Sequence, residues 1–84
     1  MKPRKTWENI AEGTRNVSFR DFERLLKAFG FEHRRTSGSH RIYRHPRVPR
    51  PLSVQPISGQ AKPYQVNQFL EMVEEFGLRL EADE

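Results

Sequence analysis

His40 is the side chain best placed to do chemistry. It follows Ser37-Gly38-Ser39, a run with tight-turn character, and leads into a segment rich in β-formers. A side chain there is expected to be exposed and carried on rigid backbone. Histidine gains and loses a proton near neutral pH. From His33 to Arg50 the chain has six arginines (Arg34, Arg35, Arg41, Arg44, Arg47 and Arg50), three histidines and no acid. This set suits cleavage of RNA. That reaction needs a base for the 2′-hydroxyl proton, an acid for the leaving 5′-oxygen and positive charge around the transition state. Arginine stays protonated and cannot be the base. The plain alternative is a surface histidine in a basic loop.

Other chemistries have less support. The three histidines are spaced by seven and five residues, which matches no helical ligand pair, and the chain has no cysteine. No metal and no cofactor is expected. Ser39 beside His40 reads as a turn former rather than a nucleophile. The five glycines are isolated, so no phosphate-cradling loop is present. A second anion candidate is Ala61-Lys62-Pro63-Tyr64, where a lysine and a tyrosine meet the free N–H groups of a helix start. An ordinary start to a helix explains the same residues.

The elements that carry these residues must fit into 84 residues, which allow one small domain. Such a chain buries about 60–65% of its unfolded surface, so a catalytic cleft between two domains is excluded. No apolar run approaches a bilayer span, and there is no signal-peptide core, so a cytoplasmic protein is expected. The net charge of +4 is unevenly spread. Residues 1–50 hold 13 basic and 5 acidic side chains, a net +8, and residues 51–84 hold 2 and 6, a net −4. The basic half will attract a polyanion in a salt-dependent way. A solubilising face paired with the acidic half is the competing account.

Residues 1–6 read as a mobile arm, and Trp7, Ile10 and Ala11 suggest a short helical stretch ending at Gly13. Ser18 and Asp21 form a capping-box-like pair. Phe22, Leu25, Leu26 and Phe29 then make an apolar stripe, predicting a helix over Phe19–Phe29 with Gly30 as its stop. Strands are expected at Phe31–Thr36, His40–His45 and Leu52–Gln55, with a proline-rich loop over Pro46–Pro51. Ser58-Gly59-Gln60 reads as a turn. A second helix starts near Pro63, carries Val66, Phe69, Leu70, Val73 and Phe76, and ends at Gly77. The result is an α+β fold: a two-layer α-β-β-β-α sandwich whose three-stranded antiparallel sheet has both helices on one face. Residues 1–17 form a basic extension, 18–80 the domain and 81–84 an acidic tail.

The segment Gly38-Ser39-His40-Arg41-Ile42-Tyr43-Arg44-His45-Pro46 resembles the G-S-H-x-x-aromatic-x-H-P signature of the HicA-type, or YcfA-like, toxin family. Leu26-Lys27-Ala28-Phe29-Gly30-Phe31 is similar to that family's helix end and first strand. Gly59-Gln60-Ala61-Lys62-Pro63-Tyr64-Gln65-Val66 resembles the lead into its last helix in one branch. The resemblance runs in order from Ser18 to Leu80. It implies a double-stranded-RNA-binding-like fold and a type II toxin that cleaves mRNA and stops translation. It also implies a HicB-type antitoxin as partner, and His40 as the catalytic histidine. RNA contacts are expected from Arg34, Arg35, Gly38, Ser39, Arg41, Arg44 and Lys62. Two rival functions remain at this level: a non-catalytic module that reads structured RNA by shape, and a basic face that binds an acidic protein. The chain has no RNP-type aromatics, which argues against recognition of single strands by stacking.

Overall fold

Proline opens the first and last helices of the chain, where its missing N–H costs nothing. The structure, a computed structural model, describes residues 1–81. The elements are α1 (Pro3–Ala11), β1 (Val17–Ser18), α2 (Phe19–Ala28), β2 (Glu32–Ser37), β3 (His40–Arg44), β4 (Leu52–Val54), β5 (Gln60–Ala61) and α3 (Pro63–Phe76). β2, β3 and β4 form an antiparallel sheet in that order. The expected α-β-β-β-α sandwich is present as α2-β2-β3-β4-α3. Of the expected acidic tail, residues 82–84 lie outside the described residues.

The periodic stripes fold as their spacing requires. Ser18 caps α2 by accepting a hydrogen bond from the Asp21 N–H at 3.1 Å. Phe22, Leu25 and Leu26 are fully buried. Phe69 of α3 sits at the centre of the core, with ring centroids 5.9 Å from Phe22, 5.1 Å from Phe29 and 6.1 Å from Phe31. The first two of these pairs are edge-to-face, an arrangement aromatic quadrupoles favour. Gly77 ends α3 in the left-handed region at φ 62°.

Two segments differ from the sequence expectation. Of the residues read as a mobile arm, 3–6 belong to α1, which starts at Pro3 with Lys2 as its N-cap. Trp7 explains why: its ring lies 4.9 Å from Phe29 and 6.2 Å from Phe69, and Ile10 is buried beside them. A nine-residue helix is marginal alone, so tertiary packing holds it. The second difference is a two-stranded ribbon, β1 against β5, with Val17 opposite Ala61. It ties the start of α2 to the start of α3. The turn at Ser58-Gly59 precedes β5, and both residues have positive φ, as a two-residue turn of the primed type requires.

Gln65 is a buried polar residue that lies outside the apolar stripe read from the sequence. It is 1% exposed, and its amide makes two bonds to the Gln55 backbone. Its Oε1 accepts from the Gln55 N–H and its Nε2 donates to the Gln55 carbonyl, both at 3.0 Å. The side chain thus continues the ladder just beyond β4 and locks α3 to the sheet edge. Gln65→Leu keeps the bulk and removes both bonds. It is expected to cost about 1–3 kcal/mol, because the Gln55 backbone groups lose their partners. Chemical denaturation of the two proteins checks this, and an unchanged midpoint would contradict the role given to the clamp.

No helix among the described residues is long and apolar enough to cross a membrane.

Candidate functional site

The sheet has an inner face covered by helices and an outer face without them. On β3, Tyr43 is fully buried and its hydroxyl donates to Glu23 Oε2 of α2 at 2.6 Å. Arg41 Nη1 donates to Glu23 Oε1 at 2.5 Å, and its guanidinium lies 5.2 Å from the Phe19 ring centroid. Both residues therefore face α2. Strand alternation puts His40, Ile42 and Arg44 on the outer face. Burial, with the Glu23 carboxylate next in effect, pushes the Tyr43 phenol well above its ordinary value, and the Arg41 charge only partly opposes this. Tyr43 and Ile42 could not be ranked from the sequence. Tyr43 takes the buried position because its hydroxyl finds a carboxylate there.

A bulge decides which arginines join His40. The pairing runs Glu32 to Arg44 and His33 to Tyr43, then slips to Arg35 opposite Ile42 and Ser37 opposite His40. Arg34 is the extra residue. Without that slip, Arg35 would share the inner face with Arg41. With it, Arg35 stands beside Ile42 and Arg44. These side chains, with Arg34, Pro46 and Pro49, border an open groove of about 690 Å³ on the outer face. Arg34 is paired with Glu32 at 3.1 Å, but both are well exposed, so that pair holds little energy.

His40 is exposed and begins β3 directly after the Gly38-Ser39 turn. Only the first central residue of this turn has positive φ, 62° at Gly38, which is why glycine stands there. Ser39 Oγ donates to Gln55 Oε1 at 2.8 Å and ties the turn to the residue after β4. His40 also lines a cleft of about 460 Å³ between β4 and α3, with Arg50, Ser53, Gln55, Tyr64, Gln68 and Glu71 among its walls.

The expected site residues therefore divide. His40, Arg35 and Arg44 share the outer face, Arg34 rims it at the bulge, and Gly38 and Ser39 set the turn. Arg41 lies on the opposite face, paired with Glu23. Lys62 precedes α3 as its N-cap and is not part of the cleft wall. The other histidines lie apart from His40. His33 stacks on Tyr43 with ring centroids 5.3 Å apart and bonds Thr36 Oγ1 at 2.9 Å. His45 is 5% exposed and bonded to backbone on both ring nitrogens. Gln68 and Glu71 were not singled out from the sequence, and Arg50 was named there only as a member of the basic run. Gln68 and Glu71 fall at i+4 and i+7 from Tyr64, a polar stripe that reads as a solvated helix face until β4 is placed beside it.

Residues 19–74, two thirds of the chain, match the family model described as HicA toxin of bacterial toxin-antitoxin. This chain belongs to the HicA toxin family. As a HicA toxin it is the toxic component of a toxin–antitoxin system and has an antitoxin as its partner. The HicA match begins at the first residue of α2 and ends inside α3. It includes Glu23, the turn and His40, and the cleft wall from Tyr64 to Met72, and it leaves out α1. No curated protein and no solved structure matches the chain.

Proposed function

We propose that this HicA-family toxin is an endoribonuclease that cleaves mRNA in the cytoplasm and thereby stops translation, and that a HicB-like antitoxin neutralises it by covering the outer face of the sheet. The supporting observation is the position of His40: exposed, at the start of the central strand, on the same face as Arg35 and Arg44, and lining a cleft. In this reaction the imidazole takes the proton of a 2′-hydroxyl. The 2′-oxygen attacks phosphorus, and the bond from phosphorus to the 5′-oxygen breaks. The products are a 2′,3′-cyclic phosphate and, once an acid supplies a proton, a free 5′-hydroxyl. The arginines of the outer face offset the charge of the phosphate as it reacts.

Inducing the chain without its antitoxin should arrest growth while mRNA shortens, and the new fragments should carry 5′-hydroxyl ends. Growth arrest with mRNA of full length would overturn the nuclease reading and favour the non-catalytic module that binds structured RNA. The phosphate contacts of either reading predict affinity that falls steeply with added salt.

A further inference from the structure

We propose that the cleft beside His40 holds one unstacked base of single-stranded RNA, with the Tyr64 ring as its stacking platform. The inference rests on the RNA-cleaving reading and adds the form of RNA the site accepts.

Tyr64 carries the argument, and it revises the sequence expectation against stacking on single strands, because this exposed ring comes from a helix start rather than from RNP-type strand aromatics. It is 52% exposed, and Met1 is the only other large hydrophobic residue so exposed among the described residues. The ring packs against none of the core aromatics, so burial does not explain it. Its backbone position is nevertheless fixed. The next residue, Gln65, is clamped to the Gln55 backbone, and the β3–β4 pairing of Arg41 with Val54 sets Gln55 across from His40. The backbone that carries this exposed aromatic ring is thus fixed at the end of the cleft where His40 stands.

Arg50 also lines the cleft, but its guanidinium is paired with Glu75 Oε1 at 3.0 Å and lies 5.5 Å from the Phe76 ring centroid. The remaining walls fit a base better than a phosphate. Ser53 and Gln68 offer a hydroxyl and an amide with no hydrogen-bond partner among the described residues, so they can meet donors and acceptors on a base edge. Glu71 contributes a carboxylate, which repels a phosphate and accepts from an exocyclic amine. Phosphates have a place of their own in the groove beside Arg35 and Arg44. Arg44 lies four residues along β3 from His40, or about 13 Å at strand rise. A paired base in an A-form helix is stacked on its neighbours and presents no free face to a tyrosine. An unpaired base does, and stacking on aromatic side chains is how proteins hold it.

The test is RNA binding by the full chain carrying His40→Ala, which prevents cleavage during the measurement. Tyr64→Leu and Tyr64→Phe are added to that background, and each protein is titrated with a mixed-sequence single-stranded oligoribonucleotide and with its duplex form. Tyr64→Leu should weaken single-strand binding about tenfold, the scale of one base–aromatic stack. Tyr64→Phe should bind within about twofold of the parent, because the ring face is kept. Duplex binding, driven by phosphates, should not respond to either change. Equal single-strand affinity in Tyr64→Leu and its parent overturns the subsite and leaves the nuclease reading standing. So does a parallel loss for single strand and duplex. A parent that binds neither RNA overturns both readings together.

Discussion

His40→Ala is expected to abolish toxicity and to slow RNA cleavage by about 10²–10⁴-fold, the usual worth of a positioned general acid or base. The substitution removes only the proton-transfer group. His40 is exposed and has no hydrogen-bond partner among the described residues, so the fold should not notice its loss. Surface changes of this kind shift stability by about 0.5 kcal/mol or less. The measurement has two parts. Growth and mRNA integrity are followed after induction without antitoxin, and thermal melting is compared with the wild type. His40→Gln, which keeps polarity and approximate size, should be as inactive as the alanine variant. Undiminished toxicity in either variant would remove His40 from the chemistry. Loss of toxicity accompanied by a large drop in melting temperature would instead assign it a structural role.

The stripes that build the helices were legible because periodicity is a property of the local sequence. Phe22, Leu25, Leu26 and Phe29 repeat at helical spacing whatever surrounds them. In α3 the stripe was right in type but not in exact facing. Val66 and Phe69 are buried, Met72 joins them, and Leu70, Val73 and Phe76 lie at the margin of the core. What escaped the sequence depends on partners distant in the chain. α1 exists because Trp7 meets Phe29 and Phe69, residues more than 20 positions away. The β2 bulge falls within His33-Arg34-Arg35, where every side chain is polar and no alternation marks a slip. Only the pairing with β3 reveals it, and with it which arginines stand beside His40.

The opposite facing of two signature histidines was partly legible. His40 and His45 are five residues apart, an odd number, and a strand turns such residues to opposite faces. The sequence did not tell which of the two faced the helices. That choice follows from what each ring finds. His40 meets a turn, a short edge strand and an open cleft. His45 meets the end of α2.

His45→Ala is therefore expected to cost stability rather than chemistry. Its Nε2–H donates to the Phe29 carbonyl at 3.0 Å, which caps the C-terminal end of α2. Its Nδ1 accepts from the Arg47 N–H at 3.0 Å, which starts the proline-rich loop. The two partners require the neutral tautomer with hydrogen on Nε2. The ring also packs edge-on against Phe31, with centroids 5.1 Å apart. Gly30 is part of the same arrangement. A Cβ there would lie 3.1 Å from His45 Nε2 and from the Glu81 carboxylate, and the backbone is already at φ 95°. Alanine at position 45 leaves a buried carbonyl and an N–H without partners and opens a cavity beside Phe31. The combined cost is about 2–4 kcal/mol. For a domain of this size, that lowers the melting temperature by about 10–25 °C. His45→Phe separates the causes, since it fills the space and makes neither bond. It should recover only part of the loss. At a temperature where the alanine variant remains folded, its cleavage rate should be within a few-fold of wild type, unlike that of His40→Ala. A His45→Ala protein that melts with the wild type would contradict the structural role, and one that is folded but inactive would move His45 into the chemistry.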